Sequence, residues 1–479
     1  MKKLVIGLFF VSCLRLVAFA QERPNVIFIL IDDQRYDFLS FLDHPWIKTP
    51  NIDALAMNGM YFNNAFVTTS LCSPSRASIL TGQYMHGHHV KDNDTPLLAD
   101  LPTFPKEMQK AGYTTAFMGK WHMGGENESP RPGFNHWISF KGQGVYVDPE
   151  LNIDGKVVNR EGYLTDILTG YAVDFITENK QRSTPYFLYL SHKAVHGPFA
   201  PALRHEGKYK DLKVPRPETF ANTKENYKGK PLWVERQRES WHGVDRDFSI
   251  GVDLKNFDNM VKRYSETMLA VDESVGSIIH TLDSLGELEN TVIIYFSDNG
   301  YLLGEHGLID KRVMYEESIR VPCFVYWPEV IKKFEQRDEM VLNIDLGPTI
   351  LELAGCKIPS SVHGTSFAKI IKGEPLEWRK DFLYEYSIDP AAMQTPAIIG
   401  LRTEKYSYMT YPGVWDNSEL YDLEKDPQQK NNLLGDIVFG KTYGTFLQQV
   451  KKQNQEMWKI VKSLDGRLST LMIEKGGSR

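Results

Sequence analysis

Pro24-Asn25-Val26-Ile27-Phe28-Ile29-Leu30-Ile31-Asp32-Asp33 holds an unbroken apolar run, 26–31, that stops on two carboxylates. Six residues apolar at successive positions, without helical spacing, read as a β-strand covered on both faces. The same form recurs along the chain. Residues 292–296 are apolar and end in Ser297-Asp298-Asn299-Gly300. Residues 186–190 run into Ser191-His192, with His196 four positions on, and 114–118 run into Gly119-Lys120-Trp121-His122. Ligands of open α/β sheets bind beyond the carboxyl ends of the strands. Four such runs ending in carboxylate, amide, lysine and histidine therefore predict one shared site on an α/β fold. The expected architecture is a large mixed, mostly parallel sheet sandwiched by helices.

Helical stretches alternate with these runs. Residues 103–112 have a threonine cap, an early proline and a glycine stop. Residues 163–178 and 261–285 carry amphipathic spacing, with Met268, Leu269, Val271, Val275, Ile278, Ile279 and Leu282 on one face of the second. A further helix follows Ile344 and ends at Gly355. Residues 203–258, rich in charge and proline, read as a surface insertion near the site mouth. Beyond about residue 376 the texture changes to short strands (381–386, 397–401, 406–410) and one final helix, 445–464. The domain reading is a signal peptide at 1–20, a catalytic α/β domain at 21–375 and a smaller antiparallel-sheet-plus-helix subdomain at 376–479.

The 479 residues are 42% hydrophobic and 24% charged, an ordinary globular composition. Net charge is -6, and the first 20 residues carry only the cations Lys2, Lys3 and Arg15, so their loss would bring it to -9. No basic excess suits nucleic acid, and an anionic substrate needs a local cluster of cations or a metal. A basic start, a short apolar run and Ala18-Phe19-Ala20 form an export signal. Periplasmic location is expected; Ser12-Cys13 loosely fits a lipidation box, leaving a surface lipoprotein as the alternative. No later stretch is apolar enough to span a membrane. Cys323 and Cys356 lie in apolar surroundings, where small buried side chains and a bridge between them are both open. Cys72 lies in a polar turn.

Cys72-Ser73-Pro74-Ser75-Arg76-Ala77-Ser78-Ile79-Leu80-Thr81-Gly82 is the most specific stretch. It resembles the C-x-P-S-R signature of type I sulfatases, with Leu80 one residue from its usual place. Pro74 and Ser75 suit the first turn of a helix, with Cys72 just before it, where an anion is stabilised. The resemblance implies an alkaline-phosphatase-like fold and a maturation enzyme that oxidises Cys72 to formylglycine, whose hydrate attacks sulfur. It implies Arg76 as support for the nucleophile. Asp32, Asp33, Asp298 and Asn299, with residue 72 beside them, look like the family's ligands for one calcium ion, and an oxygen-only set is suited to a hard cation. Lys120 and Lys311 match the sulfate-binding lysines, and His122 matches the histidine that hydrogen-bonds the hydrate. His196 matches the proton donor to the leaving alcohol, with His192 as its competitor. Glu316 and Arg320 fall in a downstream family motif, and residues 419–427 resemble a C-terminal hallmark read as structural.

Within the family, residues 84–93, Gly133-Phe134-Asn135-His136-Trp137 and Asp310-Lys311-Arg312 resemble the N-acetylglucosamine-6-sulfatase and heparan sulfatase branch. That resemblance implies exo-acting 6-O-desulfation of N-acetylglucosamine in heparan or heparin fragments. His86, His88, His89 and Trp137 are the candidate sugar contacts, packing being the alternative for each. Other substrates remain open: a galactosamine or uronate sulfate, or a phosphate or phosphonate ester within the alkaline phosphatase superfamily. A different class, an inactive glycan-binding protein, needs no intact set of Cys72, Arg76, Lys120, His122 and Lys311.

Overall fold

The computed structural model describes residues 23–479 apart from 126, 181, 183, 246–255, 415, 436–442 and 478–479. The expected export signal lies outside the described residues. Ten strands form the main sheet, in the order Glu335–Arg337, Met60–Phe62, Cys323–Tyr326, Thr291–Ser297, Asn25–Ile31, Tyr186–Ser191, Thr114–Gly119, His136–Ser139, Glu150–Ile153 and Lys156–Asn159. The five from Thr291–Ser297 to His136–Ser139 are parallel. Antiparallel pairings lie outside them, at Cys323–Tyr326 on one side and from Glu150–Ile153 on the other.

Strand Asn25–Ile31 is buried throughout because helices cover both faces of the sheet. Its alternate residues feed two cores. Val26, Phe28 and Leu30 pack on the side of helices Cys72–Thr81, Phe104–Lys110 and Asn343–Leu353. Ile27, Ile29 and Ile31 pack on the side of helices Pro50–Met57, Leu164–Asn179 and Phe257–Leu285. The last of these begins four residues before the position read from its apolar spacing. Asn256 caps it by accepting from the Asn259 amide, a signal lying upstream of the periodic face.

The C-terminal sheet is antiparallel in the order Asp381–Tyr386, Ile398–Thr403, Tyr406–Thr410 and Glu419–Asp422. The single helix expected at 445–464 is two, Tyr443–Gln453 and Gln455–Glu474. Asn454 separates them and caps the second by accepting from the Met457 amide. Cys323 and Cys356 are both free. The 203–258 insertion is more buried than its composition suggests: Lys230 donates to Tyr421 Oη at 3.1 Å and the Gln429 carbonyl at 2.9 Å, and Gln237 donates to Thr395 at 3.1 Å. No helix among the described residues is long and apolar enough to cross a membrane.

Candidate active site

Because the central strands are parallel, their carboxyl ends share one edge, and the reactive side chains meet there. Asp32 and Asp33 follow Asn25–Ile31; Asp298 and Asn299 follow Thr291–Ser297; Lys120 and His122 follow Thr114–Gly119; His196 follows Tyr186–Ser191. The Asp298 amide donates to the Ile31 carbonyl at 3.0 Å and the Asp33 amide to Asp298 Oδ1 at 3.1 Å, which locks the two strand ends together. Gly119, at φ 121°, turns the chain into Lys120, and a Cβ there would sit 1.8 Å from the Ser191 carbonyl oxygen. Only glycine fits this approach.

Cys72 opens the ten-residue helix Cys72–Thr81, as its first helical residue and not the residue before it. Its Sγ lies 3.6 Å from Asp32 Oδ1. Asp32, Cys72 and His196 offer donor atoms within 4.8 Å of one another, and so do Asp32, Asp33 and Asp298. The two groups share Asp32, and the second, Asp32, Asp33 and Asp298, offers oxygen donors alone. Asn299 adds an independent sign. Its Nδ2 donates to Asp33 at 2.6 Å, whereas its buried Oδ1 has no partner. A buried acceptor left over among three carboxylates fits a hard cation bound through oxygen.

Four cations balance this floor. Lys120 is paired with Asp32, and Lys311 Nζ reaches both oxygens of Asp33 at 2.6 Å. Arg76 bonds Asp298 through Nε at 2.9 Å, and its NH1 donates to the Lys120 carbonyl at 2.6 Å and Ser191 Oγ at 2.7 Å. Lys193, missed from the sequence, has Nζ 4.9 Å from the Tyr146 ring centre, and burial and then Lys120 push its pKa down to about 7. Burial alone would raise Asp32, yet Lys120, His196, Arg76 and Lys311 hold it well below the usual carboxylate range. Asp298 goes the other way, pushed up to about 7 by burial and by Asp32. Burial pushes the Cys72 thiol up to about 12, so it stays protonated and is a weak nucleophile as it stands.

Both candidate histidines for proton transfer are placed. His196 Nε2 lies 3.8 Å from Asp33 Oδ2, and its side chain is 17% exposed, the outermost of this group. His192 is fully buried on the opposite side, with Nε2 3.1 Å from Ser274 of helix Phe257–Leu285. His122 Nδ1 lies 3.3 Å from Ser73 Oγ, which also donates to the His122 carbonyl at 3.0 Å.

The sugar-contact candidates largely fall away. Trp137 is 1% exposed, stacked on Phe117 at 4.7 Å, with its indole N–H donated to the Glu128 carbonyl at 2.7 Å. It is a core residue. Trp137→Ala is expected to lower stability by about 3–5 kcal/mol in denaturant unfolding, with the KM of the folded fraction unchanged. His88 is also buried, with Nε2 3.0 Å from Ser78 Oγ and its pKa pushed down to about 3 by burial, so it is a neutral packing group. His86 faces Glu385 at 2.9 Å through Nδ1 and the Lys475 carbonyl at 2.9 Å through Nε2. Both nitrogens face acceptors, so it serves the docking of the C-terminal helix and not the substrate. His89 is exposed and stays available.

Burial would lower the His86 pKa, but Glu385 and the Lys475 carbonyl overcome it and raise it. A raised folded-state pKa gives stabilisation that is complete below the ordinary histidine value and is lost as pH rises through the folded value. The stability gap between the parent and His86→Gln should therefore shrink as pH is raised from 6 to 9, measured by urea unfolding.

Comparison with known proteins agrees with the geometry. The sulfatase family model matches residues 24–356, and a model described as N-sulphoglucosamine sulphohydrolase, C-terminal, matches 304–457. The chain belongs to the type I sulfatase family and is a sulfuric ester hydrolase. Its relatives put it in the N-acetylglucosamine-6-sulfatase branch. An N-acetylglucosamine-6-O-sulfatase of Bacteroides thetaiotaomicron is 33% identical over 91% of this chain and 87% of that protein. The N-acetylglucosamine-6-sulfatase of Homo sapiens is 34% identical over 77% and 68%. A solved structure of a protein in complex with its substrate D-glucosamine-2-N,6-O-disulfate superposes with a TM-score of 0.80 at 32% identity, covering 91% of this chain and 98% of that one.

Proposed function

We propose that the protein is an exported, exo-acting enzyme that removes the 6-O-sulfate from N-acetylglucosamine in heparan- or heparin-derived saccharides. One observation carries the chemistry: Cys72 starts a helix beside Asp32 and His196, between two lysines already seated on the carboxylates. The relatives' names carry the choice of sugar.

A calcium ion held by Asp32, Asp33, Asp298 and Asn299, with residue 72 beside it, would offset the charge of the sulfate and orient it. Formylglycine at position 72, made by a maturation enzyme, would supply the attacking hydroxyl that the protonated thiol does not. Lys120 and Lys311 each have N–H donors to offer sulfate oxygens, and in that buried floor such charge stabilisation is worth more than in water. Arg76 fixes the helix start against Asp298 and so sets the angle of attack. His122, held by Ser73, orients the hydroxyl. His196 Nδ1 donates to the Gly197 carbonyl at 2.6 Å, so Nε2, 3.8 Å from Asp33 Oδ2, is the nitrogen that would first take up a proton and then pass it to the departing sugar oxygen.

The test is a desulfation screen on defined glucosamine and galactosamine mono- and disaccharides. Sulfate release from 6-O-sulfated N-acetylglucosamine is expected. Inactivity there, with turnover of a galactosamine or uronate sulfate, would overturn the assignment.

A further inference from the structure

We propose that Trp241 is the platform on which the pyranose ring of the sulfated substrate stacks, a role that rests on reading the protein as a saccharide sulfatase. Among the described tryptophans Trp241 alone is exposed, at 38%. It belongs to the 203–258 insertion, yet its backbone is tied to the loop that delivers Lys311. Leu302–Leu303 pairs antiparallel with Ile309–Asp310, directly before Lys311. The segment after Trp241 adds to that ribbon. The Ile309 amide donates to the His242 carbonyl at 2.8 Å, Gly243 bridges Leu308, and the Val244 amide donates to the Gly307 carbonyl at 3.2 Å. The His242 ring lies 2.7 Å from Asp310 and is tilted at 36° against the indole, with ring centres 3.7 Å apart. The antiparallel register thereby places Trp241 opposite Asp310, the residue before Lys311.

The surroundings suit a sugar. Arg312 lies 5.2 Å from the indole centre and is bound to Asp310 and Asp389, and the backbone amide of Arg312 donates to Ser70, two residues before Cys72, at 3.1 Å. Arg312 Nε and the nearby Tyr386 hydroxyl are buried without hydrogen-bond partners. A flat apolar face beside a fixed arginine–aspartate network matches a pyranose, which offers C–H groups on its face and hydroxyls on its edge. A 6-O-sulfate sits one exocyclic carbon off the ring, so sulfate on Lys311 brings the ring to this rim. A bare sulfate would not touch it.

The measurement is sulfate release from N-acetylglucosamine 6-sulfate by the parent, Trp241→Ala and Trp241→Phe, together with the inhibition constant for inorganic sulfate. Trp241→Ala should raise KM about ten-fold or more with kcat within about three-fold, and Trp241→Phe should restore most of the loss. The inhibition constant for sulfate should move less than two-fold. An unchanged KM in Trp241→Ala would overturn the proposal, and so would a matching rise in the inhibition constant, which would mean a distorted floor. If the parent releases no sulfate from this sugar, the functional reading fails instead. The same KM comparison is then made on whichever sulfated saccharide the parent does hydrolyse, and is read the same way.

Discussion

Cys72→Ala should abolish sulfate release, by at least about four orders of magnitude in kcat/KM, and leave the fold intact. The side chain is fully buried at the start of Cys72–Thr81, so its removal costs one small contact in a helix anchored by Arg76 and Ser73. Activity, in contrast, is expected to depend on a nucleophile at that atom. Cys72→Ser is the sharper comparison. A serine hydroxyl attacks once and is left as a sulfate ester, whereas the hydrate of an aldehyde has a second hydroxyl with which to expel it. Serine should therefore give at most one turnover per site. Sustained turnover by Cys72→Ala, measured by sulfate release under saturating substrate, would refute the role assigned to residue 72.

Stripping divalent cations should be nearly as severe. Asp32, Asp33 and Asp298 crowd three carboxylates onto one position, and burial with mutual repulsion already pushes Asp298 up to about 7. Lys120 on Asp32 and Lys311 on Asp33 offset only part of that charge, and a divalent cation would offset the rest. Dialysis against a chelator should bring activity to background and lower the midpoint of thermal unfolding. Calcium should restore both, and zinc should restore little, because the donors are all oxygen. Asn299→Ala should weaken calcium binding without removing a charge, read as a rise in the calcium concentration needed for half recovery. Full activity in the chelated protein would remove the metal from the account.

Strand ends are readable because a parallel sheet buries both faces, so each central strand prints an unbroken apolar run and then a polar stop. Residues 32–33, 120–122 and 298–299 stand at such stops. The choice of His196 over His192 was not readable from spacing, because it depends on which way the chain turns after Ser191. Trp137 misled because residue type does not reveal the face of a strand, and here the indole is turned into a cluster of aromatic rings. His86 and His88 misled for a related reason: they lie beyond the far end of Cys72–Thr81, and proximity in sequence to Cys72 is not proximity to its thiol. Trp241 gave no signal at all. It sits in a charged stretch without periodicity, and only the backbone pairing of 242–244 with 307–309 ties it to the segment that leads into Lys311.

Residue 72 is expected to work as an aldehyde and not as a thiol. The most direct measurement is mass spectrometry of the peptide ending at Arg76, from preparations that differ in maturation, set against the specific activity of each. Activity proportional to the fraction of residue 72 carrying the aldehyde, and reaching zero with unconverted cysteine, is the predicted result. A preparation fully active with residue 72 entirely as cysteine would contradict the account.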